Sequence, residues 1–93
     1  MGEVIDRLAQ TIADRKANPA AGSYTASLFA AGLPRMAQKV GEEGVETAIA
    51  ALSESDDRLI AEMADLVYHC LVLLAAKGRA WDEVEVELAR RFK

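Results

Sequence analysis

Acidic residues at helical spacing are the feature of this sequence with the clearest chemical potential. Glu42, Glu43 and Glu46 occur together, and Glu62 and Asp65 repeat their three-residue step further along. Residues three apart on a helix lie about 60° apart in projection, so each set crowds one stripe. Like charges one turn apart repel, and two such stripes are unfavourable unless positive charge lies between them. The spacing therefore predicts a bound divalent cation.

The type of ligand narrows the choice of cation. Carboxylate oxygens suit hard cations such as Mg²⁺ or Mn²⁺. The chain has one histidine and one cysteine, which argues against zinc. Mg²⁺ held by side chains of two helices keeps waters and open positions, an arrangement suited to binding a polyphosphate and activating water. The expected chemistry is hydrolysis of a phosphoanhydride.

The acids also permit a second interpretation, in which they are solvated helix faces that form surface ion pairs. This suits E-E-x-x-E taken alone. The metal site is favoured because one turn separates the two acidic steps, which makes their helices antiparallel, and because the second helix is otherwise apolar. A carboxylate on a largely buried helix must be paired, protonated or bound to a metal.

Polar residues near the acids have two possible roles each. Lys39, one turn before the first acidic cluster, is a surface counter-charge or a phosphate contact. His69, one turn after the second acidic step, is a packed residue or a contact to a ligand carboxylate or phosphate. Ser23, Tyr24 and Thr25 lie at the start of a short helix that Ser23 can cap. Alternatively, their hydroxyls bind a ligand.

Hydrophobic periodicity and helix breakers predict an all-α fold, and Ala and Leu outnumber β-branched residues. Five helices are predicted. The first spans 3–16, and the second is a short helix capped by Ser23 and ended by Gly32. The third spans 34 to about 53, the fourth is capped by Asp56 or Asp57 and runs to Lys77, and the fifth spans 81–92.

The helix that ends at Lys77 is too apolar to be covered by the few other elements of one chain. We therefore expect a homodimer, in which the two acid-bearing helices of each chain form a four-helix bundle. Gly41 and Gly44 adjoin the apolar face of the first acid-bearing helix, where each costs about 1 kcal/mol against Ala. They predict the close approach of another helix.

The length and composition of the chain limit the kinds of protein that it can be. The 93 residues predict a single domain, 1–93, and the net charge of −4 argues against non-specific nucleic-acid binding. The lone Cys70 excludes a disulfide framework. No apolar leader is present, and the near-apolar run at 66–76 is too short to cross a bilayer, so we expect a soluble cytoplasmic protein with no membrane partner.

The sequence around these acids resembles the phosphoribosyl-ATP pyrophosphohydrolases of histidine biosynthesis, which belong to the all-α MazG-type nucleotide pyrophosphohydrolases. The superfamily pattern E-E-x-x-E followed by E-x-x-D is matched by Glu42, Glu43, Glu46, Glu62 and Asp65. Longer strings narrow the resemblance to the family: S-Y-T-A-S-L at 23–28, A-Q-K-V-G-E-E-G-V-E-T-A at 37–48, and A-D-L-V-Y-H at 64–69 followed by L-V-L-L at 71–74.

The resemblance implies Mg²⁺-dependent hydrolysis of phosphoribosyl-ATP to phosphoribosyl-AMP and pyrophosphate, with Mn²⁺ as a possible substitute. By analogy the metal ligands are Glu43, Glu46, Glu62 and Asp65. Glu42 would orient the attacking water or bind a second ion, so that the catalytic set is Glu42, Glu43 and Glu46. The implied substrate-binding residues are Lys39, Ser23, Tyr24, Thr25 and His69.

The resemblance leaves other functions open. One alternative is a MazG-type enzyme that cleaves other nucleoside triphosphates, and another is a non-catalytic helical dimerisation module with solvated acids. Some relatives carry a fused phosphoribosyl-AMP cyclohydrolase. This chain is too short for one, so the next activity of the pathway is expected on a separate polypeptide.

Overall fold

The computed structural model describes residues 2–92, which form helices and, within that range, no strand. The helices are α1 (Glu3–Ala17), α2 (Tyr24–Ala31), α3 (Leu33–Ser53), α4 (Asp56–Ala76) and α5 (Trp81–Arg90). The predicted all-α fold is confirmed.

Polar caps and glycines determine where the helices begin and end. The Ser23 hydroxyl accepts the Ala26 N–H at 3.1 Å, as its predicted cap role requires. Gly32 ends α2 with a φ of 101°, a conformation that favours glycine. The predicted aspartate cap of α4 is wrong, because Ser55 accepts the Arg58 N–H at 3.2 Å and the aspartates lie inside the first turn. There their charge favours the positive end of the helix.

The last helix ends at Arg90, earlier than predicted. Phe92 is 82% exposed, so continuing the helix to that residue would bury no apolar surface. At the other end, the Glu83 carboxylate accepts the Ala80 N–H at 2.9 Å. This bond replaces the side-chain cap that Ala80 cannot provide.

Helices α3 and α4 are the structural pair that carries the acids. Only residues 54 and 55 separate them, so they run antiparallel, and they form the most extensive helix contact among the described residues. Helix α1 packs on α4, while α2 contacts both α1 and α3. The acid-bearing turns of α3 and α4 therefore face each other along one side of the hairpin.

A small apolar core joins the first four helices. It contains Ile12, Leu28, Met36, Leu71 and Val72. Helix α4 is also long and apolar enough to cross a membrane by length and composition alone. Its buried Glu62 and His69, together with its packing on α1 and α3, are features of a core helix.

The two glycines of α3 face open space. Among the described residues, a Cβ built at Gly41 or Gly44 would meet no atom within 4 Å. The expected close approach of another helix is therefore wrong within this chain. Val45, which follows Gly44, is 60% exposed, and Leu52 near the end of α3 is 88% exposed. The side of α3 that carries these residues is apolar and uncovered.

We predict that Ile12→Ala lowers the free energy of unfolding by about 2–5 kcal/mol, because Ile12 is 1% exposed in the core. Val4→Ala is the matched control on the same helix: Val4 is 77% exposed, so its truncation should change stability by less than about 0.5 kcal/mol. Urea unfolding followed by circular dichroism measures both. Equal effects of the two substitutions would contradict this assignment of the core.

Candidate active site

Carboxylates of α3 and α4 converge at one place between the helices. Ligand oxygens of Glu43, Glu62 and Asp65 lie within 4.8 Å of one another. Glu43 and Glu62 are each only 6% exposed, whereas Asp65 is exposed at the edge of the cluster. Acids from the two predicted clusters therefore meet, as a shared cation site requires.

Glu46 adjoins this cluster from the solvent side. Its interaction with the Glu43 carboxylate, followed by partial desolvation and the proximity of Glu62, raises the pKa of Glu46 above its ordinary value. Ionisation of Glu46 is thus less favourable in the metal-free protein than for a free glutamate. The effect has the sign expected when several carboxylates surround a space that a cation would fill.

Two basic side chains partly neutralise the acids. Lys39 Nζ lies 3.4 Å from both Glu42 and Glu43. Desolvation lowers the pKa of Lys39, but its hydrogen bond to Glu43, the nearby Tyr24 and its contact with Glu42 outweigh that effect, so the pKa is raised overall. Arg58 donates to Glu62 at 2.9 Å. Sequence reasoning missed Arg58, although its position four residues before Glu62 was a usable signal.

The charge balance of the cluster fits one divalent cation. Lys39 and Arg58 offset at most two of the negative charges on Glu43, Glu46, Glu62 and Asp65. At least two negative charges therefore remain, which is enough to hold one divalent cation, and every candidate ligand atom is a carboxylate oxygen. This donor set suits Mg²⁺ or Mn²⁺. A cation among these residues would also remove the repulsion that raises the pKa of Glu46.

Glu42 lies on the rim of the site. It accepts a hydrogen bond from Gln38 at 2.8 Å, and Arg35 is 3.8 Å away. The Gln38 bond, more than the neighbouring Lys39, lowers the pKa of Glu42. Glu42 is not part of the group formed by Glu43, Glu62 and Asp65 among the described residues. Its connection to that group runs through the shared ammonium of Lys39.

Polar aromatic residues join the start of α2 to α4. The Tyr24 hydroxyl lies 3.1 Å from His69 Nε2, and His69 Nδ1 lies 2.8 Å from the backbone oxygen of Asp65. Thr25 and Tyr68 form a second hydroxyl pair beside the first. The hydroxyls of Tyr24 and Thr25 thus contact side chains of α4, and Ser23 caps α2. No sequence signal indicated the Thr25–Tyr68 pair, since 43 positions separate the two residues.

An all-α bundle with acids converging from two antiparallel helices is typical of the MazG-type nucleotide pyrophosphohydrolases, the class implied by the sequence resemblance. The profile of one family, PRA-PH or phosphoribosyl-ATP pyrophosphohydrolase, matches residues 5–92. The chain belongs to the phosphoribosyl-ATP pyrophosphohydrolase family, and the family predicted from its motifs is confirmed.

Curated relatives are similar over almost the whole chain. A phosphoribosyl-ATP pyrophosphatase of Pyrobaculum calidifontis is 53% identical over 90 residues, covering 97% of this chain and 96% of the relative. That of Metallosphaera sedula is 50% identical over the full length of both chains. That of Novosphingobium aromaticivorans is 52% identical over 97% of this chain and 84% of its own length.

We predict that Glu46→Gln raises the melting temperature of the metal-free protein at neutral pH, whereas Glu42→Gln on the same helix lowers it. The folded-state pKa of Glu46 is raised above 4.5, so its ionisation costs stability at pH values above that value. The pKa of Glu42 is lowered, so its ionisation contributes stability that is lost as the pH falls.

Thermal melts in a chelator, at about pH 7 and about pH 4 or below, compare both variants with the wild type. The opposite effects of the two substitutions should shrink towards the acidic end as the glutamates become protonated, and that of Glu42→Gln should persist to lower pH because the pKa of Glu42 is lowered. A melting temperature of Glu46→Gln below that of the wild type at neutral pH would contradict the electrostatic description of the cluster.

Proposed function

We propose that this chain hydrolyses phosphoribosyl-ATP to phosphoribosyl-AMP and pyrophosphate, the second step of L-histidine biosynthesis. The observation that carries the proposal is the convergence of Glu43, Glu62 and Asp65 between α3 and α4. Family membership supports the choice of substrate, because the matching profile is that of phosphoribosyl-ATP pyrophosphohydrolase. The substrate is a small molecule, and the reaction is hydrolysis of a phosphoanhydride bond.

Glu43, Glu46, Glu62 and Asp65 would hold Mg²⁺, with Mn²⁺ as a substitute. When bound, the cation would offset the charge of the triphosphate and lower the pKa of an attacking water. Glu43 and Glu62 already lie close together in a site that excludes most solvent, so they need little rearrangement to bind it. Their burial also strengthens the electrostatic interactions within the site.

The residues around the acids bind and orient the substrate. Lys39, which is largely buried and lies beside Glu43, contacts phosphate oxygens. Glu42 at the rim orients the water, while Glu43 and Glu46 complete the catalytic set. Tyr24 projects from the start of α2 and is 52% exposed, so it can reach the substrate. Ser23 and Thr25 are the remaining substrate-binding residues of this proposal, and His69 contributes to binding through its contact with Tyr24.

The protein acts as a homodimer in this proposal. Val45, Ile49 and Leu52 form an apolar stripe along α3 and are 60, 48 and 88% exposed. On α4, Ile60 and Met63 are 68 and 45% exposed. A second copy that packs against these helices would cover the exposed apolar side chains and use the open space at Gly41. The result is a four-helix core built from α3 and α4 of both chains.

The cellular setting follows from the reaction. The chain forms one domain, 1–93, of a soluble cytoplasmic enzyme that binds neither nucleic acid nor a membrane. A separate phosphoribosyl-AMP cyclohydrolase consumes its product. The net charge of −4 is consistent with this setting, because the cation and Lys39 rather than a basic surface would attract the anionic substrate.

We predict that Asp65→Asn lowers kcat for phosphoribosyl-ATP by about 100-fold or more while the helices remain folded. The amide keeps the shape of the side chain but removes one anionic ligand oxygen from the cluster. Asp57→Asn, in the first turn of the same helix and outside the cluster, is the control and should keep near wild-type turnover. Pyrophosphate release with and without Mg²⁺ is the measurement. Wild-type turnover by Asp65→Asn would refute the assignment.

We predict that Ile49→Asp converts the protein from a dimer to a monomer, because it places a charge in the apolar stripe of α3. Sedimentation velocity should give twice the chain mass of 10.0 kDa for the wild type and the chain mass for the variant. Val4→Asp adds the same charge at an exposed position of α1 and should leave the dimer intact. A monomeric wild type, or an unchanged dimer in Ile49→Asp, would contradict this interface.

A further inference from the structure

We propose that His69 is a positioning residue that directs the Tyr24 hydroxyl proton away from the substrate, so that the Tyr24 oxygen accepts a hydrogen bond from a ribose hydroxyl next to the triphosphate. The proposal rests on the proposed function and goes further, because it assigns a direction to each hydrogen bond and a chemical group to Tyr24. Its basis is the short chain of contacts that links Asp65, His69 and Tyr24.

The backbone of Asp65 determines which ring nitrogen of His69 carries the proton. His69 Nδ1 lies 2.8 Å from the Asp65 carbonyl oxygen, which can only accept, so Nδ1 must be the donor. In a neutral imidazole the other nitrogen, Nε2, is then an acceptor. Nε2 lies 3.1 Å from the Tyr24 hydroxyl, and the hydroxyl therefore donates its proton to His69.

His69 uses both nitrogens within the protein and does not itself contact the substrate. Its exposed fraction is 6%, whereas that of Tyr24 is 52%. The ring of Tyr68 packs edge-on against His69 with 4.9 Å between centroids and stacks near Tyr24 at 6.2 Å. These contacts hold the two rings in place. Tyr24 is thus the exposed member of the pair, and because its hydroxyl proton is donated to His69, its oxygen can offer only lone pairs to a ligand.

An oxygen that only accepts selects the part of the substrate that it can bind. Phosphate oxygens are acceptors at neutral pH and give no hydrogen bond to it, whereas a ribose hydroxyl can donate. Tyr24 also lies close enough to Lys39 to influence the pKa of that ammonium group. With Lys39 on the phosphates, the ribose that carries the triphosphate is the nearest donor-bearing part of phosphoribosyl-ATP.

The same turn of α4 thus serves two purposes. Asp65 presents its carboxylate to the cation site, and its backbone carbonyl orients His69. The Thr25–Tyr68 pair provides a second attachment of α2 to α4 but does not touch His69 through a hydrogen bond. That neighbouring pair supplies a matched control, since it joins the same helices without determining the direction of the Tyr24 hydroxyl.

The hydrogen-bond directions can be tested without substrate or metal. His69 is the chain's single histidine, so the imidazole signals in a ¹⁵N–¹H correlation spectrum of the labelled protein belong to it. In spectra of the neutral imidazole we expect a protonated Nδ1 and an unprotonated Nε2. Tyr24→Phe should shift the Nε2 resonance, and Tyr68→Phe should leave its tautomer unchanged. A protonated Nε2, or no response to Tyr24→Phe, overturns the proposal.

The role in binding is tested by steady-state kinetics with phosphoribosyl-ATP. Tyr24→Phe removes the oxygen, and His69→Asn keeps a donor for the Asp65 carbonyl but removes the acceptor for Tyr24. Each should raise KM by about 3- to 10-fold with little change in kcat, and the double variant should be no worse than the more impaired single variant. His69→Gln, whose side-chain carbonyl can reach the Nε2 position, should restore part of the loss relative to His69→Asn.

Two outcomes distinguish this proposal from the function on which it rests. If the wild-type protein turns over phosphoribosyl-ATP but Tyr24→Phe leaves KM unchanged, only the positioning role is overturned. The same holds if the effects of Tyr24→Phe and His69→Asn on KM are additive. Absence of wild-type turnover on phosphoribosyl-ATP contradicts the proposed function and the assignment of the ribose to Tyr24 with it.

Discussion

Repulsion between the carboxylates of α3 and α4 is the constraint on which this structure depends. The hairpin brings Glu43 and Glu62 together in a place that is nearly closed to solvent, with Asp65 beside them. Keeping such charges close costs free energy unless positive charge joins them. Lys39 and Arg58 supply part of that charge, and enough negative charge remains to hold a divalent cation. The protein thereby keeps an unfavourable arrangement that a bound cation would relieve.

The rest of the chain holds this hairpin in position. Helix α1 packs on α4 through the core at Ile12, and α2 joins the same unit through Leu28. The first residues of α2, Tyr24 and Thr25, are held to α4 by contacts of their hydroxyls. The start of α2 therefore lies beside the acids at a fixed place, where a substrate bound through its phosphates would meet it. Among the described residues nothing covers the apolar side of α3 that carries Val45, Ile49 and Leu52.

The helices and their acid-bearing stripes could be predicted from the sequence, because periodicity, glycines and caps are local signals. The spacing of Glu43 and Glu46, and of Glu62 and Asp65, was enough to predict that the two stripes would meet once one turn joined their helices. What the sequence did not predict depends on contacts between distant residues or on competition between neighbours. Ser55 caps α4 in place of Asp56 or Asp57, and Arg58 pairs with Glu62. The Thr25–Tyr68 pair carries no local signal, because it exists only after α2 has packed on α4.

Anomalous scattering from crystals grown with Mn²⁺ would show whether a cation binds between the acid-bearing helices, since it locates the ion without reference to turnover. We expect one strong peak between α3 and α4, within about 2.5 Å of carboxylate oxygens of Glu43, Glu62 and Asp65 and within reach of Glu46. A Mn²⁺ peak at another place, or none at millimolar Mn²⁺ with these side chains still ordered, would contradict this cation site.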